Sequence, residues 1–154
     1  MMNASNTLSG KWLGSFNYDP ECMILYPENH PDTTFCLQLS DNSGSLTGTC
    51  IDDEVKGIMK GIITVSGFAD GDIISFTKQY PCFYFMNEDG KIQIDDSKVH
   101  PPVIYSGVYD AESDTYSGEW EMTLTTENIQ GECFDEIIFG SWIIRRAASN
   151  TSMQ

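Results

Sequence analysis

All three tryptophans of the chain stand two residues after a glycine, in Gly10-Lys11-Trp12, Gly118-Glu119-Trp120 and Gly140-Ser141-Trp142. Residues two apart in a strand share a face, so each motif sets a bare backbone position beside an indole on one side of a sheet. Ser106-Gly107-Val108-Tyr109 and Thr47-Gly48-Thr49-Cys50 repeat the spacing with other end residues. Strand glycines mark tight bends or close backbone approach, and a sheet that rolls into a small barrel needs them at its corners.

The rest of the chain agrees with an all-β fold. Short apolar, aromatic and β-branched runs alternate with turn clusters, and no stretch sustains a 3.6-residue apolar period. Eight strands are predicted at about 11–18, 33–40, 45–52, 57–67, 72–80, 103–110, 116–125 and 136–146. Asp41-Asn42-Ser43-Gly44, Asp70-Gly71 and Glu112-Ser113-Asp114 are short links of the kind that join antiparallel neighbours. Residues 19–32 and 81–102 are longer, and Pro20, Pro27, Pro31, Pro81, Pro101 and Pro102 keep them out of a central ladder. Both are expected at a barrel rim, the second with an extra hairpin around Asn87-Glu88-Asp89-Gly90.

Face assignment follows strand by strand. Trp12, Gly14, Phe16 and Tyr18 alternate with Lys11, Ser15 and Asn17; Phe35, Leu37 and Leu39 alternate with Cys36 and Gln38. Tyr116, Gly118, Trp120, Met122 and Leu124 alternate with Ser117, Glu119, Glu121 and Thr123. A sheet with one apolar face must close on itself or pack on a second sheet. Short links between eight strands favour an antiparallel up-and-down (meander) barrel. Residues 9–146 form that single domain, between a flexible start at 1–8 and a disordered polar tail at 147–154.

With 154 residues the chain needs no staple to hold a core. Its 23 acidic and 8 basic side chains give a net charge of -15, a field that disfavours nucleic acid and anionic membranes as partners. Cys22, Cys36, Cys50, Cys82 and Cys133 show neither paired nor metal-site spacing, so free thiols are expected. Met1 to Ser9 has no basic start and no apolar centre, and no run reaches the ~18 apolar residues of a membrane span. These features together place the chain in a reducing, cytoplasmic compartment.

Gly10-Lys11-Trp12 on the first strand, with Arg145 or Arg146 near the end of the last, resembles the calycin group: lipocalins, intracellular fatty-acid-binding proteins and avidins. The resemblance implies that the terminal basic side chain packs across the first tryptophan and closes the barrel base. Strand phase selects Arg146, which shares a face with Trp142 and Ile144. Leu46-Thr47-Gly48-Thr49-Cys50 and Tyr116-Ser117-Gly118-Glu119-Trp120 are similar to avidin strands, in which aromatic residues line the biotin pocket; the polar biotin contacts of that family do not map onto this sequence. Phe76-Thr77-Lys78-Gln79-Tyr80, with Tyr105-Ser106-Gly107 downstream, is also similar to small uncharacterised barrel domains.

Candidate chemistry is sparse. Lys78 lies between Phe76 and Tyr80 at period two; pointing inward it is a cation that wants an anion, and at the rim it snorkels toward surface acids, the commoner arrangement. Trp12, Phe16, Tyr80, Tyr105, Tyr109, Trp120 and Trp142 either line a pocket, with Lys78 and Arg146, or fill the barrel. Asp52-Asp53-Glu54, Asp70-x-Asp72 and Asp95-Asp96 match no calcium loop and read as solvated turns. Glu119 and Glu121 share an outward face, and His30 and His100 each adjoin a proline, with nothing to tie either to a nucleophile. No catalytic constellation, metal site or cofactor motif emerges.

The sequence therefore supports a non-enzymatic barrel that binds a small apolar or amphipathic ligand, an anionic one where Lys78 points inward. The competing reading is a protein-interaction or structural barrel with a filled core. A cavity of about 300 Å³ or more separates the two. The sequence names neither the ligand nor a protein partner nor an oligomeric state.

Overall fold

The computed structural model describes residues 7–22, 32–87 and 89–147. Most of the expected 19–32 loop and all but Ala147 of the expected tail lie outside the described residues. The strands are β1 (Gly10–Phe16), β2 (Thr33–Asn42), β3 (Ser45–Asp52), β4 (Ile63–Asp70), β5 (Ile73–Gln79), β6 (Phe83–Met86), β7 (Ile92–Asp95), β8 (Val103–Asp110), β9 (Thr115–Glu127) and β10 (Cys133–Arg146). Eight of them close an antiparallel barrel in the order β1-β10-β9-β8-β5-β4-β3-β2. The other two, β6 and β7, form the hairpin expected inside 81–102; β5 and β8 pair directly across the insertion, Phe76 opposite Tyr105.

The face alternation holds. Trp12, Phe35, Leu37, Leu39, Tyr116, Trp120 and Met122 are buried, whereas Lys11, Gln38, Glu119 and Glu121 are exposed. Strand pairing explains the repeated tryptophans: Gly140 stands opposite Trp120, and Gly118 opposite Trp142. A Cβ on Gly140 would collide with the Asn17 carbonyl oxygen and reach to 2.8 Å from Trp120 Nε1, and one on Gly107 would lie 2.7 Å from the Trp142 ring. The glycine of one motif thus makes room for the indole of another across the ladder. Every indole N–H is satisfied: Trp12 donates to Leu8 O at 2.9 Å, Trp120 to Asn17 O at 2.9 Å, and Trp142 to Glu119 O at 2.9 Å.

Several strand ends shift by two or three residues, β9 running to Glu127 rather than 125 and β10 starting at Cys133 rather than 136 among them, and two further differences reach the core. The fourth strand begins at Ile63 rather than near 57, because Gly57 and Gly61 take φ of 84° and 103° and turn residues 53–62 into a coil that tucks Val55 into the core. At the N-terminus, Leu8 is buried and its N–H donates to Asp41 at 2.9 Å, so packing reaches back into the segment expected to be flexible.

Candidate ligand site at the barrel mouth

The short β2–β3, β4–β5 and β8–β9 turns lie at one end of the barrel, here the base. The chain closes there as the resemblance implies, with the arginine that strand phase selects: Trp12 pairs with Arg146, whose guanidinium carbon lies 4.5 Å over the indole centroid, while Arg145 faces solvent. Arg146 Nη2 also donates to Thr7 O at 2.9 Å. Tyr109 belongs to this end too, its hydroxyl donating to Asp114 at 2.7 Å. A broad open groove of about 920 Å³ crosses the base, and Asp41, Asp72, Tyr109, Tyr116 and Arg146 contribute to its walls.

At the opposite end, the mouth, polar groups enter the core. Strand phase along β3 turns Leu46, Cys50 and Asp52 inward, and along β5 it turns Ile74, Phe76 and Lys78 inward. Lys78 is fully buried, with its Nζ 3.4 Å from Asp52 Oδ2. Four rings surround the ammonium, their centroids 4.4 Å (Phe35), 4.9 Å (Tyr105), 5.1 Å (Phe16) and 5.6 Å (Tyr80) away. The Tyr80 hydroxyl donates to Asp52 Oδ2, and the Glu54 N–H donates to Asp52 Oδ1 at 2.9 Å. Next outward, Tyr84 and Tyr18 donate to Glu54 Oε1 at 2.7 and 3.2 Å.

The β6–β7 hairpin roofs this network. Tyr84 of β6 packs on Tyr80 at 5.0 Å between centroids, and His100 stacks on Tyr84 at 5.0 Å with 20° between planes. His100 Nδ1 lies 2.8 Å from Pro101 O, and the Gln79 amide donates to His100 O at 2.9 Å, tying the end of the insertion to β5.

Burial dominates the electrostatics. It pushes the Cys50 thiol up to about 11 and the Tyr105 hydroxyl up to about 12, and it raises Tyr80 and Tyr84 as well. For Lys78 burial works against the charged form, but Cys50 and Tyr105 once ionised, together with Asp52, outweigh it and the pKa is raised. Cys50 and Tyr105 keep their protons at neutral pH, so the negative charge facing Lys78 there is that of Asp52. The inward cation therefore already has an anion, supplied by the chain itself.

This overturns the reading of Asp52 as part of a solvated turn: it is 1% exposed, because the inward phase of β3 runs through it. Of the nine candidate residues, Phe16, Lys78, Tyr80 and Tyr105 converge at the mouth, with Trp120 beside them at 5.8 Å from Phe16. Trp142 sits in the middle of the barrel, 5.6 Å from Tyr105, and Trp12, Tyr109 and Arg146 are at the base. Tyr18, Glu54, Tyr84 and His100 were not singled out as ligand contacts, and their partners lie 30 or more residues away for the Glu54 bonds.

The interior is filled, the outcome that favours the interaction or structural barrel as long as the mouth stays closed. Trp12, Leu37, Ile74, Lys78 and Ile144 expose nothing, and Phe76 and Tyr105 1%. A cleft of about 170 Å³, lined by Cys50, Asp52, Val55, Met59 and Ile63 among others, reaches the polar network from under the 53–62 coil. Among the described residues no group of three or more His, Cys, Asp or Glu side chains could hold a metal ion, and no helix is long and apolar enough to cross a membrane.

These features define a calycin-type barrel of avidin-like form. The crystal structure of rhizavidin is similar to it with a TM-score of 0.50 and 13% sequence identity, covering 100% of this chain and 96% of that one. No protein-family model matches the chain, and no curated protein matches it.

Proposed function

We propose that the chain is a non-enzymatic binding barrel whose mouth takes a small amphipathic molecule after the β6–β7 hairpin lifts. The observation that carries this reading is the concentration of buried polar groups, Asp52, Lys78, Tyr80 and Tyr105, at one end of an otherwise apolar interior, beneath an inserted hairpin. A buried ion pair costs desolvation that well-packed apolar side chains avoid, so its presence in a core points to a task other than stability. In the closed form Asp52 occupies the place of the ligand's polar head. On binding, that head meets Lys78, Tyr80 and Tyr105, and the apolar body lies against Phe16 and Trp120. A reducing, cytoplasmic place of action is proposed from the sequence alone, whose five cysteines show no paired spacing.

A thermal-shift screen of fatty acids, small aromatic acids and biotin-like compounds, with native mass spectrometry of freshly purified protein, tests the proposal. A true ligand at a hundredfold excess over its dissociation constant stabilises the fold by ~2.7 kcal/mol. The double variant Lys78→Met with Asp52→Leu is expected to lose the hit while keeping the barrel. Hits that persist in that variant contradict the site. If no compound shifts the wild type, the second reading stands: the nearly zero exposure of the core aromatics favours a filled interaction barrel.

A further inference from the structure

The β9–β10 hairpin is longer than the wall it belongs to. Strand β8 pairs with β9 only as far as Ile104 opposite Glu121, because Pro101 and Pro102 just before β8 lack the N–H groups to continue the ladder. Strand β9 nevertheless runs on to Glu127, held from its other side by β10 down to Cys133. Among the described residues no strand pairs with the outer edge of 122–127. Unpaired edges are usually blunted with lysine, proline or a bulge. This one carries Thr123 and Thr125, residues that favour strands, and no lysine, proline or bulge; its charges are all acidic, Glu121 and Glu127 on the strand and Glu136 beside it.

The two faces of the arm differ. Inward lie buried Met122, half-buried Leu124, Phe134, which is 51% exposed, and the exposed Glu136 opposite Leu124. Outward lie Glu121, Glu127 and Asp135 around exposed Ile137, with exposed Ile104 where β8 begins. Between Lys98 and Arg145 the chain has nine acidic residues and no lysine or arginine. A strand added to this edge would set every second side chain against Met122 and Leu124, the inner-face residues of β9 itself, with Glu136 one strand further in, and the others beside the outer acids.

We propose that the free edge of β9 at residues 122–127 docks an extended segment of a partner protein in which basic and apolar side chains alternate. Main-chain hydrogen bonds supply the ladder, and the outer carboxylates select the basic residues. A second copy of this chain is the poorer occupant, because its matching edge brings the same acids face to face. The arm rises from the mouth end of β9, but Glu121, Thr123, Thr125 and Glu127 face away from the barrel interior and take no part in the Lys78–Asp52 network.

A fluorescein-labelled octapeptide of alternating lysine and valine serves as the probe, read by anisotropy. Saturable binding is expected, weakened tenfold or more by Glu121→Lys with Glu127→Lys, and weakened comparably when the peptide's inward-bonding amides are N-methylated. Thermal-shift hits at the mouth are expected to survive the same variant. An N-methylated peptide that binds as well as its parent would reduce the effect to charge attraction and overturn the docking edge, as would failure of the parent to bind. Sedimentation showing a dimer that the two charge reversals dissolve would overturn the choice of occupant.

Discussion

The two ends of the barrel solve the same problem with opposite materials. At the base, apolar packing closes the interior: Trp12 meets Tyr116 edge-on at 5.7 Å, with buried Leu39, Leu46 and Ile74 around them, and a single cation lies across the indole from outside. At the mouth, an ammonium and a carboxylate sit inside the barrel, surrounded by rings and covered by a hairpin that pairs with no barrel strand. The base needs nothing but burial to stay shut. At the mouth each buried charge depends on its partner, and under the proposed function a ligand's polar head opens this end by supplying another.

The largest expected effect comes from separating the mouth's charges. Lys78→Met leaves Asp52 buried without its counter-ion, and urea denaturation is expected to show a loss of ~3–5 kcal/mol. Asp52→Leu added to it removes the orphaned charge, and most of the loss should return. If the double variant is as unstable as the single, the pair is part of the packing rather than an electrostatic liability. At the base, Arg146→Ala removes a cation from the indole face, and about 1 kcal/mol is expected in the same assay. A cost at the base equal to that at the mouth would erase the contrast.

A smaller effect is expected from pH. His100 is held below its usual 6.5, first by burial and further by the nearby Lys78 charge, while the Pro101 carbonyl and the Glu54 and Asp52 carboxylates act the other way. The unfolded chain therefore accepts a proton at about pH 6.5 that the folded mouth refuses. Stability should fall as pH drops from about 6.5 toward the lowered folded value, and His100→Phe should remove that slope between otherwise identical melting curves.

How much of this could be read from the sequence depended on how local the signal was. The barrel and its faces follow from period-two patterning, which each strand carries within itself; the closure over Trp12 came from the calycin resemblance, and the same phase chose Arg146 over Arg145 for it. The fourth strand was misplaced because Gly57 and Gly61 sit among residues that otherwise read as strand, and only their positive φ shows the turn. Lys78 stood out by its neighbours Phe76 and Tyr80, yet its partner Asp52 was hidden in an acidic triplet that resembles a solvated turn. The phase of Leu46 and Cys50 would have pointed Asp52 inward, had it been followed to the end of the strand. Tyr84, Glu54 and His100 gave no such signal, since only the fold of the 81–102 insertion brings them together.

Native-state hydrogen exchange tests the difference between the ends most directly. If the mouth is the end that opens, the amides of residues 83–95 should exchange through a local opening that leaves the β1–β10 pairing intact. Their protection should be at least tenfold below that of Leu13, Ser15 and Ile144 in the base-to-wall seam. Equal protection in the two regions, both lost only on global unfolding, would contradict the account, because the roof over Lys78 and Asp52 would then be as fixed as the base.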